Sequence, residues 1–174
     1  MKYEPKKIGK KAENISLVLF FAAIVLVYLA NAVVEAMRWI AQLGAIALLG
    51  IFIYIIVRWC FTDFMYEIKA RSKMETVPFS EIPGERLQFY VHRKQGKRGY
   101  AAEFLCNVGD IQSIEPVSET SPNTGKRYFF YRNMKKANRY VMTVCGEKEP
   151  LLVFLEIGED GKDFLEFINS KKAG

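Results

Sequence analysis

The residues of this chain that could do chemistry are cations gathered in two clusters. One cluster surrounds a Gln95-Gly96 turn, and the other follows a loop rich in Ser, Thr, Pro and Gly. Lysine and arginine side chains grouped in this way attract anionic groups and donate hydrogen bonds to them. The two clusters contain Arg93, Lys94, Lys97, Arg98, Lys126, Arg127, Arg132, Lys135, Lys136 and Arg139. The pattern predicts a surface that binds an anionic partner.

Other reactive side chains do not form a recognisable catalytic pattern. His92 is the only histidine, so we expect a residue at the surface of a strand and not a catalytic base or a metal ligand. The wide spacing of Cys60, Cys106 and Cys145 fits reduced thiols, and neither a disulfide framework nor a zinc site. Paired carboxylates and a glycine-rich phosphate loop are missing at diagnostic spacings. We therefore expect no enzyme, no cofactor and no metal.

Two long apolar runs near the N-terminus determine where such a surface would work. Ile15 to Val34 and Trp39 to Val57 contain no charged residue, and each has the roughly 20 residues that a membrane-spanning helix needs. Trp39 and Trp59 are placed where indoles would anchor the second span at both interfaces. The polar break from Glu35 to Arg38 predicts a tight turn between antiparallel spans. The sequence therefore predicts a transmembrane helical hairpin.

Basic residues beside the spans predict the orientation of this hairpin. The turn contains Arg38 alone, whereas both outer flanks are basic, in keeping with a net charge of +6. The flanking cations are Lys2, Lys6, Lys7, Lys10, Lys11, Arg58, Lys69, Arg71 and Lys73. Because Lys and Arg are retained on the cytoplasmic side, we expect a multi-pass cell-membrane protein with a cytoplasmic N-terminus and a cytoplasmic C-terminal domain.

A cleaved signal peptide is the alternative to the first span. Ala30-Asn31-Ala32 after a lysine-rich start resembles a signal-peptidase site. Against cleavage, the apolar run is longer than the usual 7 to 15 residues, and a second span follows almost at once. The hairpin interpretation is preferred on these grounds.

The remainder of the chain alternates in the manner of β-strands. Seven extended segments, separated by Gly, Pro, Asn and Ser, precede an apolar stripe at helical spacing from Phe164 to Ile168. The segments are 66–71, 87–92, 100–108, 111–117, 127–132, 138–145 and 151–157. The fold class predicted is α+β, with an antiparallel seven-strand barrel or sandwich capped by a C-terminal helix. The domains expected are a basic tail (1–14), the hairpin (15–61) and a β domain (62–174).

This order of elements resembles a known family. Tyr66-Glu67-Ile68, the stretch Phe104 to Val117 and the ending Leu151 to Ile168 are similar to those of small bacterial two-span membrane proteins with a pleckstrin-homology-like domain. Within the middle stretch, Val108-Gly109-Asp110-Ile111 and Ile114-Glu115-Pro116-Val117 carry the likeness. Many proteins of that family have no assigned biochemical role. The resemblance implies an architecture and a membrane location, and suggests a binding function.

Three kinds of partner follow from these patterns. The basic clusters predict contact with the bilayer through anionic lipid head groups. A sheet edge or the aromatic run Tyr128 to Tyr131 predicts, as the alternative, a module that recruits an unknown protein to the inner membrane surface. Cations interleaved with aromatics also suit nucleic acid, but membrane attachment and a modest net charge argue against it.

Overall fold

The computed structural model describes residues 1–7, 10–32, 35–71, 77–118, 124–134 and 138–172. The chain divides into two compact units. A helical unit comprises Ile8–Thr62, and a sheet unit combines Met1–Lys7 with Asp63–Gly174. The sheet unit is therefore interrupted in sequence by the whole helical unit.

The helical unit contains two long apolar helices. Helix α1 is Lys11–Ala32, and helix α2 is Glu35–Ile55, which continues into a π-helical turn at Ile56–Cys60. Both are long and apolar enough to cross a membrane, and only 17% and 11% of their most apolar stretches are buried. The small residues Ala23 and Ala45, 1% and 2% exposed, permit a close approach of one helix to the other.

The connection between the helices differs from the sequence prediction. Glu35 to Arg38 were expected to form the turn, but α2 already begins at Glu35. None of these four residues is Gly or Pro, and Glu, Ala, Met and Arg are all good helix formers. Residues 33 and 34, between the two helices, lie outside the described residues.

The first sheet joins the start of the chain to the segment that follows the helices. Its strands, in the order β1-β2-β3-β4, are β1 (Lys2–Tyr3), β2 (Thr62–Ala70), β3 (Leu87–Gln95) and β4 (Ala101–Asn107). Strand β1 is antiparallel to β2, with Lys2 opposite Glu67 and Tyr3 opposite Tyr66. The β3–β4 turn contains Gly96 at φ 59°, a left-handed conformation that glycine adopts without steric cost. The two ends of the helical unit thus connect to neighbouring strands.

The second sheet has the order β5-β7-β8-β6. Its strands are β5 (Ile111–Pro116), β6 (Lys126–Phe130), β7 (Arg139–Val144) and β8 (Leu151–Glu156). Strand β8 is antiparallel to β7 but parallel to β6. Leu152, Val153 and Leu155 are each 0% exposed, because a nearly continuous apolar strand must be covered on both faces. This explains why β8 lies inside the sheet and separates β6 from β7.

One hydrophobic core serves both sheets and helix α3 (Lys162–Lys171). Phe164 and Ile168 of α3, 2% and 0% exposed, belong to the same buried cluster as Tyr66 and Phe89 of the first sheet and Val153 of the second. The predicted C-terminal helix is therefore confirmed, and its apolar stripe faces this core.

The α+β prediction is confirmed, but the antiparallel seven-strand barrel is wrong. All seven predicted segments form strands; an eighth, β1, joins them in the described part of the chain, and the β6–β8 ladder is parallel. The strands make two open four-stranded sheets. Strand β1 escaped sequence analysis because two residues are too few to show an alternation.

The boundaries of the predicted segments also differ. Residues 1–14 were expected to form a separate tail, whereas Met1–Lys7 belong to the sheet unit and α1 begins at Lys11. Since β1 precedes α1, cleavage after Ala32 would remove a strand of the first sheet.

Candidate functional site

Arg132 joins the two points at which the chain leaves and re-enters the sheet unit. Its Nη1 donates a hydrogen bond to the carbonyl of Pro5 at 3.2 Å, and its Nη2 lies 2.9 Å from Oδ1 of Asp63. Pro5 lies shortly before the helical unit, and Asp63 is the first residue after it. The guanidinium fork suits this double contact, since it offers several donors in one plane.

Tyr100 extends this group towards the β3–β4 turn. Burial, followed by the charges of Glu4 and Asp63, raises the pKa of Tyr100, which also hydrogen-bonds with Glu4. We call the group Glu4, Pro5, Asp63, Tyr100 and Arg132 the hairpin root. All five residues belong to the sheet unit.

Asn133 and Glu156 fix the segment that carries Arg132. Glu156 is 2% exposed, and its Oε2 accepts the backbone N–H groups of Arg132 and Asn133 at 2.8 and 2.9 Å. The Asn133 amide also donates to Glu156 and to the carbonyl of Lys6. A buried carboxylate is tolerated only when such donors replace its water. The segment is therefore held by β8 on one side and by the start of the chain on the other.

Tyr3 and Lys6 hold the start of the chain against the sheet unit. The Tyr3 hydroxyl donates to Oδ1 of Asp160 at 3.1 Å and accepts the N–H of Gly158 at 2.8 Å. Burial raises the pKa of Tyr3 to about 12. Lys6 lies 2.9 Å from Oδ2 of Asp160, and its hydrogen bond lowers the pKa of that carboxyl.

The first predicted cation cluster lies beside the root. Arg93 is paired with Glu103 at 2.7 Å, and the Lys94 ammonium lies 5.6 Å from the centre of the Tyr100 ring. Lys97 and Arg98 are exposed in the turn itself. Arg93, Arg98 and Glu103 also line a shallow open pocket. Two of the four cations therefore hold the turn, and two face the solvent.

The second predicted cluster divides in the same way. Arg139 Nη2 donates to the carbonyls of Asn133 and Met134 at 3.1 and 3.3 Å, and its guanidinium lies 3.8 Å from the centre of the Tyr131 ring. Together with Arg132, it therefore has an internal structural role. Lys126 and Arg127 are exposed on β6, and the Lys126 ammonium lies 5.3 Å from the Tyr128 ring. Lys135 and Lys136 lie outside the described residues.

Glu67 is the centre of a charged cluster that sequence analysis missed. This carboxylate is 4% exposed and lies within 3.4, 2.8 and 3.1 Å of Lys2, Lys69 and His92. Burial raises the pKa of Glu67, but hydrogen bonds from Lys69 and Lys2 outweigh that effect and leave the pKa below its usual value. His92, expected at the strand surface, has a side chain that is only 14% exposed.

Asp63, Asn133 and Glu156 also escaped sequence analysis. Glu156 did leave a signal, because an acid directly after the apolar run of β8 has to find donors if the strand is buried. Asp63 and Asn133 left none, since their side chains contact residues more than twenty positions away. Within the described ranges, no group of three His, Cys, Asp or Glu residues lies close enough to hold a metal ion.

Comparison with known proteins returns no match: no protein-family model, no curated protein and no solved structure is similar to this chain. The resemblance to pleckstrin-homology-like membrane proteins therefore stays a prediction.

Proposed function

We propose that this protein is a membrane-anchored, non-enzymatic binding module. Its two helices cross the bilayer as a hairpin, and its sheet unit lies at the cytoplasmic surface, where exposed cations contact anionic lipid head groups. The observation that carries this proposal is the hairpin root. Arg132 hydrogen-bonds to Pro5 before the helical unit, forms an ion pair with Asp63 after it, and lies in the same basic run as Lys126 and Arg127.

Exposure of the apolar helices supports the membrane assignment. Side chains such as Tyr28, Trp39 and Ile40 are 77%, 69% and 71% exposed, which suits lipid contact and would be costly in water. The antiparallel pairing of β1 with β2 supports two crossings over one, because it joins residues that precede the helical unit to residues that follow it.

The exposed cations support a lipid ligand. Lys97 and Arg98 lie in the β3–β4 turn, close in sequence to Tyr100 of the root. Lys126 and Arg127 lie on β6, the strand that leads to Arg132. We propose that both pairs face the bilayer surface. Each basic residue at an anionic leaflet contributes about 1 kcal/mol to binding.

Hydrogen–deuterium exchange of the full chain in lipid nanodiscs tests the proposal. We expect amides of residues 95–98 and 126–130 to exchange more slowly with phosphatidylglycerol present than with phosphatidylcholine alone. The variant Lys97→Glu/Arg98→Glu/Lys126→Glu/Arg127→Glu should lose this difference, as should raised salt. Equal exchange of the wild-type chain in the two lipids would contradict the proposal.

A matched control is available at the other end of β2. Arg71 and Arg86 are exposed neighbours, joined by a backbone hydrogen bond. Arg71 follows the last residue of β2, whereas Asp63 lies at the start of that strand. Arg71→Glu/Arg86→Glu should therefore leave the lipid dependence intact.

A further inference from the structure

We propose that Phe129 and its aromatic neighbours insert into the interfacial layer of the same bilayer. This inference rests on the proposed membrane attachment and adds an apolar contact to the charged ones. Phe129 is 47% exposed and stacks on Phe154, with ring centres 5.0 Å apart. The ring of Tyr131 meets Phe129 edge-on, with ring centres 6.1 Å apart, and the Arg139 guanidinium lies over Tyr131. We call Phe129, Tyr131 and Phe154 the aromatic strip.

Packing within the sheet unit buries Tyr128 and Phe130 more fully than Phe129, which stays 47% exposed beside Phe154 and Tyr131. Successive strand residues point to opposite faces, and Phe130 is 6% exposed in the core while Tyr128 packs against that core. Phe129 points the other way, on a strand at the edge of its sheet. A large exposed aromatic on an edge strand invites association unless something covers it.

The charge of the residues around Phe129 and its position in the chain favour the bilayer as the partner that covers it. Residues 126–139 contain no acid, and the exposed cations Lys126 and Arg127 precede Phe129 on the same strand. Phe129 lies three positions before Arg132 of the root, about 10 Å along an extended chain at ~3.3 Å per residue. Arg127, one of the exposed cations proposed to contact the head-group layer, lies two positions before Phe129 on β6, about 7 Å along the strand at ~3.3 Å per residue and on the same face. Aromatic rings with adjacent cations are the composition that favours this layer.

Fluorescence quenching in nanodiscs measures the insertion directly. In a full-length Trp39→Phe/Trp59→Phe background, Phe129→Trp places the sole indole on the aromatic strip. Leu105→Trp is the control, since Leu105 is 51% exposed on β4 of the other sheet. With brominated phosphatidylglycerol, we expect quenching at position 129 to exceed that at position 105 at least threefold. Equal quenching at the two positions would overturn the inference.

A second measurement keeps both native tryptophans. Photoreactive benzoylphenylalanine in place of Phe129 should form lipid adducts in native membranes, detected by mass spectrometry. Discrete protein adducts without lipid adducts would overturn the inference and indicate a protein partner. If exchange depends on anionic lipid but position 129 is neither quenched nor crosslinked to lipid, the inference fails and the proposed function stands. If exchange shows no lipid dependence either, both fail.

Discussion

Tyr3 lies opposite Tyr66 in the antiparallel register of β1 and β2, although the whole helical unit separates them in the chain. Their rings are 6.1 Å apart, and Tyr3 is 8% exposed. The sheet unit is thus completed by residues that precede the first apolar helix. A fragment that begins at Asp63 would lack a buried part of its own core.

The first prediction concerns this dependence on the start of the chain. Replacing residues 8–62 by a flexible Gly/Ser linker of about 12 residues should give a soluble, cooperatively unfolding protein. In that background, Tyr3→Ala should lower the free energy of unfolding by about 3 to 5 kcal/mol, measured by urea denaturation. Leu105→Ala, at an exposed position, should change it by less than about 1 kcal/mol. Equal effects of the two substitutions would show that β1 is not part of the core.

The second prediction concerns the carboxylate behind the root. Glu156→Gln replaces one acceptor oxygen by a donor and removes the charge that the Arg132 and Asn133 amides bind. We expect those two amides to exchange about 10- to 100-fold faster, as for the loss of hydrogen bonds to a charged group. Glu147→Gln, in the exposed β7–β8 turn, should leave them unchanged. Unaltered exchange in Glu156→Gln would mean that the segment is held in some other way.

The third prediction is a pH dependence centred on Glu67. Its pKa is lower in the folded protein than the ordinary 4.5, because Lys69 and Lys2 outweigh the opposing effect of burial. The carboxylate therefore stabilises the fold above about pH 4.5, and this contribution is lost as the pH falls through the folded pKa.

Urea denaturation between about pH 7 and pH 3 should reveal this contribution. Glu67→Gln should cost about 1 to 3 kcal/mol at pH 7, and the difference from wild type should shrink as the pH falls. Glu103→Gln, which breaks the partly exposed pair with Arg93, should cost no more than about 1 kcal/mol. A cost of Glu67→Gln that is independent of pH would contradict the assignment.

The fourth prediction concerns thiol reactivity. Burial, assisted by the charge of Asp110, raises the pKa of Cys106 to about 12, whereas Cys145 is exposed. Few Cys106 thiols are therefore ionised at pH 8, so a maleimide should label Cys145 before Cys106. Peptide mass spectrometry over time gives the two rates, and urea should abolish their difference. Equal labelling rates in the folded protein would be incompatible with the burial of Cys106.

Local patterns were enough to locate most elements of this fold. The charge-free runs predicted α1 and α2. Alternation, or a short apolar or aromatic run between turn residues, predicted β2 to β8, because these signals lie within a single element. Glu35 to Arg38 were misread as a turn because a polar break is not a helix breaker. The parallel β6–β8 pairing was missed because the neighbours of a strand do not follow from its own alternation.

The candidate site was only partly predictable for a related reason. The sequence located both basic clusters, but it could not separate the exposed Lys97, Arg98, Lys126 and Arg127 from the arginines that hold the structure together. Arg132 donates to the carbonyl of Pro5 and forms an ion pair with Asp63, and Arg139 donates to the carbonyls of Asn133 and Met134. Only the folded chain brings these groups within reach.

By itself, the sequence determined two apolar helices, seven of the strands and the sign of the charge around them. Composition and periodicity decide these features, since each depends on residues that are neighbours in the chain. The tertiary structure alone decided that the start of the chain completes the first sheet, that β8 is central, and which cations remain exposed. Those features depend on hydrogen bonds and burial between residues far apart in sequence, which no local pattern records.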